Sequence, residues 1–309
     1  MIHSRTDNTV NAYTVAFNKW KRWALLHQAA YLPAVPLTFA LYLLSLIQAD
    51  YTLAVIEKAY YGVKYFHTTL SLTDPTSSPL TQEMYEVAKR ICKNQKKRKE
   101  PFTKDDLEKI YTHLTTPPPP SFQNYRTWTM INLSFVGFLR YDDMSTIRFG
   151  DIQFFPTFMK IFLESSKTDV YREGKWVQIA ASASHLCPVT TLQQYLKMAN
   201  ITADGQRDQF IFRAITKTKT SAKLRKANRP LSYTRVRELL LQTCKSIGLS
   251  AKEYGTHSMR SGGASMVANA GLPDRLFKRH GRWKSDKAKD MYVKDNIDRL
   301  LSVTKSMCL

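Results

Sequence analysis

The sequence predicts a mainly α-helical protein with a small antiparallel β-sheet, divided into two domains. Apolar residues recur every three or four positions through most of residues 1–92, which is the period of a helix face. Between residues 146 and 180 the pattern changes to short runs rich in β-branched and aromatic residues, which are typical of strands. A basic segment without apolar periodicity, 93–101, follows the first helical part and ends at a proline. It is therefore predicted to be an interdomain linker.

The predicted N-terminal domain, residues 1–92, consists of four or five short helices. In the first of them, Val10, Tyr13, Phe17 and Trp20 are spaced to form one apolar face. Prolines and a turn-rich loop separate the helices that follow. These cover Leu37–Ile47, about Leu53–Leu70 and about Gln82–Cys92.

The second domain, residues 102–309, is predicted to hold the sheet among further helices. Thr103 is a suitable cap for a helix over Lys104–Leu114, and another helix passes through Trp128–Phe138. The strands are expected in TIRFGDIQFF (146–155), FMKIFLES (158–165) and KWVQIA (175–180), with SKTDVYREG (166–174) as a hairpin loop. Helices are then expected over Pro188–Asn200 and about Tyr233–Ser246.

Net charge is the strongest signal in the composition. The 309 residues include 46 Lys and Arg against 25 Asp and Glu, which gives a net charge of +21 and a pI near 9.8. Because such an excess repels itself unless a polyanion is nearby, nucleic acid is the predicted partner. A membrane is disfavoured, since the basic residues are spread along the chain and the longest apolar run, Leu37–Ile47, is too short to span a bilayer.

The sequence indicates neither secretion nor metal binding. No charged segment followed by an apolar one opens the chain, so a secretory signal is not expected. The four cysteines (Cys92, Cys187, Cys244 and Cys308) are scattered without metal-ligand spacing. They are expected to be ordinary thiols in a reducing compartment, the nucleus in a eukaryote and otherwise the cytoplasm.

A stretch near the C-terminus contains several residues that are suited to catalysis or to phosphate binding. Thr256 can cap a helix that begins at His257, with Arg260 three residues on and on the same face. The free N–H groups and partial positive charge of a helix N-terminus favour phosphate. Gly262 and Gly263 each cost about 1 kcal/mol relative to Ala inside a helix, which indicates close approach of another backbone or of DNA. Taken alone, the His–Arg pair also fits an ordinary exposed surface.

The next segment contains two aromatic residues nine positions apart. Gly281 is expected to end a helix, Arg282 and Trp283 to form a turn, and Ser285 to cap a last helix that carries Tyr292. An unbroken helix would place the two aromatic rings on opposite faces, and the break removes that obstacle. Each aromatic residue by itself also fits an ordinary buried or half-buried position.

Together these residues resemble the tyrosine recombinase (integrase) family. That family has His-x-x-Arg, then His or Trp 23 residues on, then a nucleophilic Tyr nine further. Here the motif falls on His257, Arg260, Trp283 and Tyr292 with those two spacings. A Trp in the third position resembles the Cre-like members. His280 is the alternative, but it lies 20 residues after Arg260 and 12 before Tyr292.

The resemblance extends to the first part of the second domain. The segment GFLRYDDM matches the family's earlier arginine with Arg140, and Asp143 is the acidic partner three residues on. IRFGDIQF is similar to the family's strand entry, and ESSKTDVY places the hairpin lysine at Lys167. CPVTTLQQYL resembles the helix that follows the hairpin. The segment KRHGRWKSDKAKDMYVKD is also similar to recombinases of DIRS-like and crypton-like mobile elements.

The resemblance implies a core-binding helical domain and a catalytic domain that form a C-shaped clamp on double-stranded DNA. It implies cutting and rejoining of DNA through a phosphotyrosine formed on Tyr292, with neither metal nor ATP nor another cofactor. Arg140 and Arg260 would stabilise the phosphate charge, and Asp143 would orient an arginine. His257 would bind the phosphate or take the Tyr proton. Trp283 would donate its indole N–H and form one side of the pocket. Lys167 would protonate the leaving 5′-oxygen.

Several alternatives stay open from sequence alone. A type IB topoisomerase-like enzyme uses a similar residue set, and a domesticated mobile-element protein would bind DNA without cutting it. The linker 93–101 fits a solvated charge run, a phosphate-tracking segment or a nuclear import signal. LSYTRVRELL (231–240) is a candidate for the major groove and equally a plain surface helix. A tail helix from about residue 296 either packs on its own domain or docks into a neighbouring protomer of a tetramer assembled on an inverted-repeat site.

Overall fold

The structure is a computed structural model, and it describes residues 7–92, 98–164, 174–202, 206–218 and 221–307. The chain divides into two compact units, residues 1–97 and 98–309. The described residues are mainly helical, with a three-stranded and a two-stranded antiparallel sheet. Within them, no helix combines the length and apolar composition needed to cross a membrane.

The N-terminal unit is built around a cluster of aromatic and aliphatic side chains. Trp20, Phe39, Leu43 and Ile56 are completely or almost completely buried in it. Trp20 stacks against neighbouring rings and donates its indole N–H to the Tyr31 carbonyl (3.0 Å). The described helices are α1 (Asp7–Leu26), α2 (Pro36–Gln48), α3 (Leu53–Thr69) and α4 (Pro79–Ile91).

The C-terminal unit surrounds one almost wholly buried helix. This is α6 (Phe122–Val136), in which residues 126–135 are all buried against the helices and strands around it. Ser121 caps it by accepting from the Asn124 N–H. The other described helices of this unit are α5 (Lys104–Thr115), α7 (Tyr141–Ser145), α8 (Pro188–Met198), α9 (Tyr233–Ser246), α10 (Thr256–Asn269), α11 (Asp274–Gly281), α12 (Asp286–Asp290) and α13 (Ile297–Lys305).

The three-stranded sheet closes one side of this unit. Its strands β1 (Ile152–Phe154), β2 (Phe158–Leu163) and β3 (Lys175–Ala180) pair in chain order and antiparallel. Burial alternates along β2, as expected for a sheet with one face on the core. A second hairpin, β4 (Ile215–Lys217) with β5 (Ala222–Leu224), was not predicted from sequence because its strands are only three residues long.

Three further details differ from the sequence predictions. The first predicted strand is shorter, because a 3-10 turn over Phe149–Asp151 precedes β1. Helix α10 begins one residue earlier than predicted, with Gly255 rather than Thr256 as its N-cap. The short helix α7 was not predicted from sequence.

Candidate active site

Helix α10 is packed closely against the rest of its unit. A Cβ atom on Gly262 would overlap the Phe102 carbonyl oxygen, and one on Gly263 would overlap the Phe135 carbonyl oxygen. The Phe102 N–H also donates to the Ser258 carbonyl (3.1 Å). Of the two explanations for the glycine pair, close approach of another backbone is therefore the one that the structure shows. This packing fixes the helix turn that carries His257 and Arg260.

Arg260 lies at the centre of the candidate site and is 0% exposed. Its guanidinium donates to the Phe138 carbonyl and to the Gly281 carbonyl (2.7 Å). It also lies 4.7 Å from the ring centroids of both Trp283 and Tyr292. Burial, and then the neighbouring positive charges, lower the pKa of Arg260 to about 9. It is therefore still a cation at neutral pH.

The turn after α11 brings Trp283 against Arg260. Gly281 has no side chain, and the Trp283 ring occupies the place where a Cβ atom would lie. Arg282 then takes a left-handed conformation (φ 58°), which reverses the chain. Trp283 is 7% exposed and packs edge-on against Phe277, with 5.2 Å between the ring centroids. Its indole N–H is buried and has no acceptor among the described residues.

Tyr292 follows α12 in a turn. The sequence prediction placed it on the last helix, which was wrong: α12 ends at Asp290, and the Tyr292 N–H donates to the Lys289 carbonyl (2.8 Å). The Tyr292 hydroxyl lies 3.5 Å from Nδ1 of His257, which is exposed. The Trp283 ring lies 5.7 Å from the Tyr292 ring. The hydroxyl and the imidazole are thus at the outer limit of a hydrogen bond.

Arg140 and Asp143 lie at the start of α7. The Asp143 carboxylate accepts from the Arg140 backbone N–H (3.0 Å) and so caps this short helix. Nη1 of Arg140 is buried without an acceptor among the described residues. The charge of Arg140 helps to lower the pKa of Arg260, which brings the two guanidiniums into one electrostatic environment.

Arg282 is a site residue that the motif comparison did not identify. Its Nη2 forms an ion pair with Asp143 (2.7 Å), and the two side chains are 3% and 1% exposed. It also donates to the carbonyls of Gly137 (3.2 Å) and Phe138 (3.0 Å). Asp143 therefore joins the segment that carries Arg140 to the turn that carries Trp283. The partners are 139 positions apart in sequence, so no local pattern could predict the pair.

The chain also matches known proteins. The profile of the Phage integrase family matches residues 100–299, about two thirds of the chain. The chain belongs to the phage integrase family. It is 24% identical over 294 residues to an integrase/recombinase XerD homolog of Selenomonas ruminantium, covering 94% of this chain and 82% of that protein. The resemblance to tyrosine recombinases inferred from the motifs is confirmed, while the placement among DIRS-like or crypton-like members stays a prediction.

Solved structures of integrase-family proteins share the fold. The XerH site-specific recombinase bound to palindromic difH substrate in a post-cleavage complex has a TM-score of 0.64 at 14% identity, covering 95% of this chain and 78% of that chain. The Tn1549 transposon integrase in complex with transposon right end DNA has a TM-score of 0.61 at 14% identity, with 99% and 95% covered. A lambda integrase dimer bound to a COC′ core site has a TM-score of 0.53 at 20% identity, with 94% and 73% covered. The predicted mainly α fold with small antiparallel sheets is thereby confirmed.

His280 and Lys167 are the remaining residues of the predicted site. His280, the alternative in the third position, donates to the Val136 carbonyl (2.8 Å) and packs edge-on against Phe138. Burial lowers the pKa of His280, and Trp283 is the residue whose ring lies against Tyr292. Lys167 lies outside the described residues, in the segment of sequence between β2 and β3.

Proposed function

We propose that this integrase-family protein is a site-specific recombinase. It would cut and rejoin duplex DNA through a covalent 3′-phosphotyrosine intermediate and a Holliday junction. The observation that carries the proposal is the position of Tyr292: its hydroxyl is 3.5 Å from His257, and its ring is 4.7 Å from the Arg260 guanidinium. A nucleophile, a base and a cation therefore meet at one point.

The reaction follows from these groups. The Tyr292 oxygen attacks the scissile phosphorus, the bond to the 5′-oxygen breaks, and the enzyme retains the 3′-phosphate. An ordinary Tyr has a pKa near 10, so its proton must be taken, and His257 is placed to accept it. Arg140 and Arg260 would bind the non-bridging oxygens. The leaving 5′-oxygen requires a proton, for which Lys167 remains the proposed donor.

Unsatisfied donors in the candidate site support phosphate binding. Nη1 of Arg140, Nε of Arg260 and Nε1 of Trp283 are buried N–H groups without acceptors among the described residues. Leaving a buried donor unpaired costs about 1–3 kcal/mol. An oxyanion bound among these groups would offset part of that cost. Stabilisation of developing negative charge by fixed donors is commonly the largest catalytic effect in such sites.

A suicide substrate tests the proposal. This is a duplex with a nick near the cleavage position, so that the short cut fragment diffuses away, religation is prevented and the covalent adduct accumulates. Tyr292→Phe should bind this DNA and form no adduct. Tyr233→Phe, which removes an exposed hydroxyl from the same unit, is the matched control and should retain it. An adduct in Tyr292→Phe would show that another residue is the nucleophile.

Adduct formation and a plasmid-relaxation assay together separate the two alternative functions. No adduct with the wild-type protein despite DNA binding would favour a domesticated binding protein. Relaxation of supercoiled plasmid without exchange between two sites would favour a topoisomerase-like enzyme.

Double-stranded DNA is the proposed partner, with four protomers assembled on paired inverted-repeat sites. The net charge of +21 supports polyanion binding. Helix α13 supports assembly because its apolar residues are all exposed: Ile297, Leu300, Leu301 and Val303, with Met307 beyond its end. The helix is held at its beginning, where Arg299 donates to the Asn269 carbonyl (2.9 Å). We infer that this face docks into a neighbouring protomer.

Truncation after Asp295 tests the assembly proposal. The shortened protein should bind a half-site as a monomer but lose cooperative binding and recombination, since the apolar face is removed. Gel-shift titrations on half and full sites measure both. Wild-type recombination by the truncated protein would rule out α13 as the assembly element.

A further inference from the structure

A basic cavity lies in the C-terminal unit and is formed by none of the candidate active-site residues. Its volume is about 560 Å³, and it is bordered by the end of α8, by residues 206–213 and by β5 with the residues that follow. Four of its lining residues are cations and none is acidic. These cations are Arg213, Lys223, Arg225 and Lys226, and the site is called the Arg213 cavity below.

Arg213 is a buried charge without a counter-ion among the described residues. It is 6% exposed, and no carboxylate among the described residues forms an ion pair with it. Nη1 of Arg213 donates to the Arg225 carbonyl (3.2 Å), while its Nε is buried without an acceptor among the described residues. Burial lowers the pKa of Arg213, because removing the guanidinium from water disfavours its charged form.

A second buried arginine lies behind the first. Arg126 is 2% exposed, and its Nη1 donates to the Arg213 carbonyl (2.6 Å). Its Nε also lacks an acceptor among the described residues, and burial lowers its pKa to about 10. Arg126 thus contacts the main chain of Arg213, and neither arginine forms an ion pair with a carboxylate of the described residues. Buried charges in proteins are ordinarily paired, so this arrangement points to an external anion.

The electrostatic potential in the Arg213 cavity is positive. The C-terminal end of α8 borders the cavity and contributes about half a negative charge. The four lining cations outweigh it. The surrounding sequence has the same bias: between Asp208 and Glu238 there are nine Lys and Arg and no Asp or Glu.

We propose that the Arg213 cavity binds a backbone phosphate of DNA, outside the phosphate that is cleaved. This inference rests on the proposed DNA-binding function. Three of the cations, Lys223, Arg225 and Lys226, are exposed along the β4–β5 hairpin and the residues after it. An exposed row of cations around a buried guanidinium suits a repeating polyanion, whereas a small free anion would favour an enclosed cradle. The phosphate would accept hydrogen bonds from the Arg213 side chain and pair with the exposed cations.

The test compares two triple variants with equal loss of charge. The cavity variant is K223Q/R225Q/K226Q, and it leaves the buried Arg213 in place. The control is K104Q/K109Q/K245Q, which removes three exposed lysines from α5 and α9. Affinity for a labelled duplex is measured by fluorescence anisotropy over a series of salt concentrations, with thermal unfolding as a check of the fold. Each phosphate contact contributes about −0.9 to the slope of log affinity against log salt.

Because one phosphate contact is removed, the cavity variant should have a slope shallower by about 1 and at least a tenfold weaker affinity at low salt, and the control should change by less than half as much. Equal changes in the two variants would overturn the proposal, because bulk charge would then explain them. A thermal shift with inorganic pyrophosphate that is lost in the cavity variant, without a change in DNA slope, would assign the cavity to a small anion and would also overturn it. Failure of the wild-type protein to bind DNA would instead contradict the proposed function.

Discussion

The buried ion pair between Asp143 and Arg282 allows a quantitative prediction about stability. Both side chains are almost completely buried, and the Nη2–Oδ2 distance is 2.7 Å. Removing one partner of a buried pair leaves the other charge uncompensated, which typically costs about 3–5 kcal/mol. Asp143→Asn preserves the shape of the side chain and should lower the free energy of unfolding by about that amount.

In the second single variant, Arg282→Gly, a favourable change in backbone conformation offsets part of the loss of stability. Arg282 has a φ of 58°, and a left-handed conformation costs an ordinary residue about 1–2 kcal/mol that glycine avoids. Arg282→Gly should therefore lower stability by only about 2–3 kcal/mol. The double variant D143N/R282G leaves neither charge unpaired. It should be more stable than the sum of the single losses predicts by at least about 2 kcal/mol.

Urea unfolding followed by tryptophan fluorescence measures the cycle, with the transition of the C-terminal unit fitted separately if the two units unfold apart. The matched control is the pair Arg235–Glu238 (3.1 Å), which lies in the same unit with side chains 44% and 54% exposed. Its cycle should give no more than about 0.5 kcal/mol. A coupling energy for Asp143 and Arg282 as small as that of the control would refute the stabilising role assigned to the buried pair.

The remaining predictions concern cleavage. Arg140→Ala and Arg260→Ala should each slow adduct formation on the suicide substrate by about a hundredfold or more, the typical cost of losing one oxyanion donor; near-normal rates in both would mean that the phosphate binds elsewhere. Lys167→Ala should be slow on ordinary DNA and recover on a bridging phosphorothiolate, whose sulfur leaves without a proton. Equal slowness on both substrates would exclude Lys167 as the acid and direct the same test to Lys175.

The motif shared with the integrase family predicted most of the residues that gather at the site. His257 and Arg260 share one helix turn, and the 23- and nine-residue intervals to Trp283 and Tyr292 lie within one continuous stretch. What spacing could not predict is how deeply each side chain is buried. Arg260 is fully enclosed and His257 is exposed, although they are only three residues apart. That difference arises from packing against Phe138 and the Gly281 turn, which are distant in sequence.

Other features were beyond prediction for the same physical reason. The Asp143–Arg282 pair and the packing of Gly262 and Gly263 against Phe102 and Phe135 depend on tertiary contacts. The cap residue Ser285 predicts a last helix that carries Tyr292. The helix nevertheless ends at Asp290, and the turn that follows brings the phenol ring against Arg260 and Trp283.

The way in which the arginines are held supports the proposed binding of phosphate at this site. Three guanidiniums, those of Arg140, Arg260 and Arg282, share it with one buried carboxylate, Asp143. Most of the acceptors for the Arg260 and Arg282 guanidiniums are main-chain carbonyls and not carboxylates. The Phe138 carbonyl accepts from both arginines. A carbonyl satisfies a donor without neutralising its charge. The formal charge of these groups is thus about +2, which would match the phosphodiester monoanion and the phenolate of the proposed reaction. A second carboxylate in place of those carbonyls would pair the arginines equally well and remove much of that complementarity.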